Sequence, residues 1–129
     1  MLAIDTNLIV RYLTNDHPEQ SPRSRRLIDG QAVFVAVTVI LETEWVLRSA
    51  YGYGQTEIVS ALRAFCGLST VEMEEAAIVS SALDLTSAGM DFADALHLGK
   101  SGHCAGFATF DRKLVKAARV AGHGGVQEA

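Results

Sequence analysis

The sequence predicts an α/β protein built on a parallel sheet of four or five strands, and three observations carry that expectation. Short apolar runs, Leu2-Ala3-Ile4, Val33-Phe34-Val35-Ala36-Val37 and Gly106-Phe107-Ala108-Thr109-Phe110, read as strands, the first as a buried one and the second unbroken enough to be covered on both faces. Each run leads into an acid: Asp5 directly, Glu42 shortly after Thr38, and Asp111 directly. Between the runs, apolar residues recur at helical spacing, which is the alternation that gives parallel strands their crossover helices. Ligands of such sheets gather outside the carboxyl ends of the strands, so acids placed there are candidates for chemistry. A fourth acid, Asp94, lies in Asp91-Phe92-Ala93-Asp94-Ala95-Leu96-His97, in the first turn of an expected helix. The four acids are expected to meet at one end of one sheet.

In chain order, Leu8, Ile9, Tyr12 and Leu13 form one face of a first helix, ended by Asn15-Asp16-His17-Pro18. A second helix closes at Asp29-Gly30. It starts either with Ser21 as N-cap and Pro22 at the first helical position, or as a longer kinked helix from Pro18. Gln31 to Val37 reads as a buried strand, and Thr38 as the N-cap of a helix carrying Glu42 and Trp45, with Ile40, Leu41 and Leu47 toward the core. Tyr51-Gly52-Tyr53-Gly54 breaks it. Ile58, Leu62 and Phe65 mark the next helix, stopped at Cys66-Gly67. Leu68 to Val71 reads as a short strand, and Glu74 and Glu75 suit the first turn of a helix that runs to Gly89. Asp91 and Asp94 have the spacing of an N-cap and its capping-box partner. After the strand to Phe110, Asp111 caps a helix with the buried stripe Leu114, Val115 and Ala118, and the tail around Gly124-Gly125-Val126 adds an edge strand.

With 129 residues, 49% of them hydrophobic and 20% charged, the chain fits a single domain, 1–129, able to bury a core. No linker, internal repeat or low-complexity tract divides it. Eleven basic and fifteen acidic residues give a net charge of −4, which excludes binding of polyanions by bulk charge alone. A nucleic-acid partner would need local basic patches or bridging cations. The two cysteines, Cys66 and Cys104, match no zinc spacing and are expected to be free thiols of a cytoplasmic protein. Neither a leader-like segment nor an apolar stretch of the ~20 residues that span a bilayer is present, so no membrane association is expected.

Converging carboxylates suit a hard divalent cation such as Mg²⁺ or Mn²⁺, because without one they repel each other. Each acid also has a plain structural reading. Asp5 and Asp111 would serve as N-caps, Asp94 as the capping-box partner of Asp91, and Glu42 as a solvated helix face. The weight lies in their joint placement after strands and at helix starts. The four histidines form no metal motif, and His97 fits a packing or supporting role beside Asp94. Nucleophile elbows and phosphate loops are absent. Arg23, Arg25 and Arg26, with Lys113, Lys116 and Arg119, read as solvated helix faces that would become phosphate contacts if the acids act on nucleic acid.

Four segments, Ala3-Ile4-Asp5-Thr6-Asn7, Leu41-Glu42-Thr43-Glu44-Trp45-Val46-Leu47, Phe92-Ala93-Asp94-Ala95-Leu96-His97 and Ala108-Thr109-Phe110-Asp111-Arg112-Lys113-Leu114, occur in that order. Together they resemble the PIN-domain ribonucleases, and most closely the VapC-type toxins of bacterial toxin–antitoxin pairs. The resemblance implies a three-layer α/β/α fold and a Mg²⁺- or Mn²⁺-dependent endoribonuclease that cuts RNA by metal-activated water. It implies Asp5, Asp94 and Asp111 as metal ligands, and Glu42 as a further catalytic acid acting from outside the direct ligands or on a second ion. Asn7 and Thr109 look like polar supports for the carboxylates. It also implies a homodimer and a VapB-type antitoxin whose carboxyl-terminal segment places an arginine among the acids. Two rivals are a metal-dependent nuclease acting on structured DNA and a non-catalytic cation-binding module. The second lacks the adjacent acid pair of phospho-acceptor domains, and Asn7 stands where a haloacid-dehalogenase phosphatase would carry an Asp.

Overall fold

Strand and helix alternate along the whole chain, and every strand pair is parallel. A computed structural model describes residues 1–129, which divide into two units, Met1–Ala76 and Ala77–Ala129. The fold is α/β, with seven helices and five strands. The strands are hydrogen-bonded as a three-stranded ladder in the first unit and a two-stranded one in the second.

The first unit holds β1 (Leu2–Ala3), α1 (Thr6–Thr14), α2 (Gln20–Gly30), β2 (Val33–Val35), α3 (Val37–Ser49), α4 (Gln55–Cys66) and β3 (Val71–Met73). Strand order is β1-β2-β3, with Leu2 opposite Val33 and Val33 opposite Val71. Parallel neighbours cannot be joined by a hairpin, so a helix pair fills each crossover. The core gathers Ile9, Val10, Ile28, Val33, Val35, Ile40, Leu47, Ile58, Leu62 and Phe65.

Four local expectations are corrected in this unit. The first strand is not buried. It is an edge of the ladder, Leu2 and Ala3 are exposed, and the burial falls on Ile4 just beyond them. The second helix takes neither expected start. It opens at Gln20, Pro22 falls within the first turn where a missing N–H costs nothing, and Ser21 is fully buried. His17 supplies the cap instead, its Nδ1 accepting the N–H of Glu19 at 3.2 Å and of Gln20 at 2.9 Å. Thr38 does not cap α3, which begins one residue earlier after Ala36. The fourth correction places β3 later than Leu68–Val71, so Glu74 and Glu75 precede the next helix rather than open it.

Glu74 explains the third correction. Its N–H donates to the Val35 carbonyl at 2.9 Å, continuing the ladder, and its Oε1 accepts the Val37 N–H at 2.8 Å. One residue thus ties the end of β2 to the start of α3, the helix that carries Glu42. Glu75 then turns the chain with a φ of 49°.

The second unit holds most of α5 (Ala76–Ser87), then α6 (Phe92–Lys100), β4 (Phe107–Thr109), α7 (Arg112–Val120) and β5 (Val126–Glu128). β4 pairs with β5, Phe107 opposite Val126 and Thr109 opposite Glu128, so the tail strand forms as expected. Val79, Leu83, Phe92, Leu96, Leu114, Val115, Ala118 and Val126 are its buried apolar residues. A Cβ on Gly99 would come within 2.8 Å of Ile78 Cγ2, so glycine is what lets α6 approach α5. Both cysteines are free, with Cys66 at the end of α4 and Cys104 exposed in a loop. Burial pushes the Cys66 thiol up to about 11, which keeps it protonated and unreactive at neutral pH. No helix is long and apolar enough to cross a membrane.

Replacing Glu74 with Ala removes the α3 cap and is expected to lower stability by about 1 kcal/mol, read as the urea midpoint. Glu74→Gln, whose amide oxygen still accepts, should show little of that loss.

Candidate functional site

The candidate acids fall two in each unit, Asp5 and Glu42 in the first, Asp94 and Asp111 in the second. Asp5 is the N-cap of α1, its Oδ1 accepting the Thr6 N–H at 2.7 Å. Helix N-termini carry partial positive charge, so the carboxylate is favoured there. Thr6, the next residue, is buried, and its hydroxyl donates to Glu42 Oε1 on α3. That bond joins the acid-bearing turn of α1 to the acid-bearing turn of α3 and leaves Oε2 of Glu42 unclaimed by Thr6. Thr6 is the functional residue that the sequence reading passed over. Its only signal is position, a hydroxyl directly after the strand-end acid.

In the second unit the N-cap expected at Asp91 forms. Asp91 Oδ2 accepts the Asp94 N–H at 3.2 Å and opens α6. Asp111 opens α7, its Oδ1 accepting the Leu114 N–H at 3.1 Å. Thr109, at the end of β4, accepts the Asp111 N–H on its Oγ1 at 3.0 Å, so it fixes the backbone of the acid rather than its carboxylate. Burial first, and then the negative charges of Asp91 and Asp111, hold the Asp94 carboxyl above its ordinary range, with His97 pulling the other way. Asp94 and Asp111 therefore sense each other. Asn7 is exposed on the first turn of α1 and lines a groove of about 400 Å³ with Leu8, Arg11, Gln20, Arg23 and Ser24.

Three features fit a hard divalent cation. The donors are carboxylate and hydroxyl oxygens, with no thiol or imidazole set among them. Capping through one oxygen leaves the other oxygen of Asp5 and of Asp111 to bind a second group. The repulsion at Asp94 is of the kind a cation relieves. Within neither unit do three His, Cys, Asp or Glu side chains form a ligand set by themselves. Two carboxylates are what Mg²⁺ commonly takes directly, with water completing its shell.

With this geometry in view, the comparison with known families is direct. The PIN domain model matches residues 2–120, and the chain belongs to the PIN domain family. PIN domains are in general metal-dependent nucleases that use divalent ions. No curated protein and no solved structure matches the chain.

Asp111→Asn removes one of the charges that raise Asp94. The Asp94 carboxyl, followed by ¹³C NMR titration, is then expected to ionise at lower pH than in the parent. Because a raised acid pKa favours the folded state only while the group is protonated, the penalty of ionising Asp94 as pH climbs should also shrink in that variant. An unchanged titration would mean the two carboxylates do not interact.

Proposed function

We propose that the chain is a single nuclease domain, 1–129, acting as a Mg²⁺- or Mn²⁺-dependent endoribonuclease and as the toxin of a cytoplasmic toxin–antitoxin pair. The single observation that carries the nuclease reading is the PIN match over residues 2–120, which contains all four acids in their motif segments. Support for the acids' roles comes from within each unit: the Thr6 bond that holds Glu42, and the mutual repulsion of Asp94 and Asp111. The toxin role, the VapB-type antitoxin and the homodimer rest on the resemblance of the four segments to VapC-type proteins.

In this proposal Asp5, Asp94 and Asp111 would hold the cation, Asp5 and Asp111 through the oxygens not used in capping. The cation, when bound, neutralises charge on the phosphodiester and makes a hydroxide-like water available near neutral pH. Glu42, fixed at Oε1 by Thr6, uses Oε2 to accept a hydrogen bond from the attacking water and to orient it. Thr109 keeps Asp111 in place by holding its N–H, and Asn7 is a polar support on the first turn of α1. An antitoxin arginine would inhibit by forking onto the same carboxylates in place of the cation.

Asp5→Asn and Asp94→Asn should each reduce cleavage of a single-stranded RNA in Mg²⁺ or Mn²⁺ by more than about 100-fold, whereas Thr6→Val should cost about 10–100-fold, the range for residues that orient a metal site. Parental cleavage in the Asp variants would refute the assignment. Preferential cutting of DNA by the same preparation would move the substrate class to DNA.

A further inference from the structure

The helix that begins at Asp111 carries Arg112, Lys113, Lys116 and Arg119 within nine residues, in a chain whose net charge is −4. Arg112, Lys116 and Arg119 stand at i, i+4 and i+7, so they share one face and form a row roughly 10 Å long at 1.5 Å per residue. The structure bears this out, because these three side chains line one open groove of about 340 Å³ with Val115, Val120 and Glu128. All three cations are exposed. Glu128 is the one acid in the groove, and it is taken by Arg112, Nε to Oε1 at 2.9 Å. Lys116 and Arg119 carry no such partner. Val120, 83% exposed, leaves the far end of the row open.

We infer that this face of α7 is the phosphate track of the nuclease: the RNA strand runs from the acid at the helix start along Arg112, Lys116 and Arg119, which bind successive backbone phosphates. The inference rests on the endoribonuclease reading and adds to it the residues that hold the substrate. Its physical need is plain. A site made of carboxylates in a net-acidic chain repels a polyanion, and cation bridging at the scissile phosphate does nothing for its neighbours. Lys116 and Arg119, which carry no such partner and lie within about two turns of Asp111, supply that attraction where the strand leaves the acids. The α1–α2 groove is the weaker rival, because with Arg11 held by Asp16 at 3.0 Å it offers Arg23 alone, whereas Lys116 and Arg119 both remain on α7 once Arg112 is taken by Glu128.

The test combines Michaelis kinetics on a fluorogenic single-stranded RNA in Mg²⁺ with anisotropy binding of the same RNA in EDTA at several salt concentrations. K116Q/R119Q is expected to raise KM about tenfold, leave kcat within about twofold, and flatten the slope of log affinity against log salt by about 1.4, two contacts at roughly 0.7 each. K116R/R119K should behave as the parent, and R63Q, an exposed position on α4, should change neither KM nor slope. Melting curves check that each variant folds. If the parent cuts RNA and K116Q/R119Q keeps the parental KM and salt slope, the track is overturned while the nuclease stands. An equal loss in R63Q would overturn it too, since the effect would then be one of general charge. A parent that neither binds nor cuts RNA removes the nuclease reading itself, and the track with it.

Discussion

Carboxylates at helix starts are the arrangement on which the rest of this protein depends. Asp5 opens α1, Glu74 caps α3, Asp91 opens α6 and Asp111 opens α7, each accepting a backbone N–H that would otherwise lack a partner. A helix N-terminus is one of the few places where a fold can hold a negative charge at a gain rather than a cost. Such acids are therefore structural first, and their second oxygens remain for chemistry. This dual use lets the fold hold each acid in place through one oxygen, whatever the other oxygen binds.

The limit of that tolerance shows at Asp94. It lies three positions in from the capping Asp91, so it receives less of the dipole's benefit and bears the repulsion of Asp91 and Asp111 together with partial burial. Its raised carboxyl is the natural consequence. Perturbations of this kind make a position a candidate for function. Here they coincide with a segment that the PIN family match contains. On the first unit's side the analogous device is the Thr6 hydroxyl, which secures Glu42 by a hydrogen bond across helices rather than by charge.

Charge is also unevenly laid out. Arg112, Lys113, Lys116 and Arg119 on α7 follow directly on the acid that opens the helix, so opposite signs sit at successive turns of one short element. The order has local logic, since a carboxylate belongs at a helix start and cations belong toward its end. In the proposed nuclease the same order would draw a polyanionic strand toward Asp111.

Much was legible in the residues themselves. Unbroken apolar runs, helical periodicity, strand-ending acids and the Asp91/Asp94 spacing pointed to the α/β class, most helices, the caps at Asp5, Asp91 and Asp111, and the candidate acids, because these are short-range effects written within a turn or a strand. What the tertiary structure alone decided involves partners distant in sequence. Glu74 caps a helix that starts 37 residues earlier, Thr6 bonds an acid 36 residues later, and the first strand is an exposed ladder edge rather than a covered one. No local pattern encodes such pairings, since a hydrogen bond between remote residues depends on where folding brings the two backbones, and the same Glu or Thr would read identically with or without its partner.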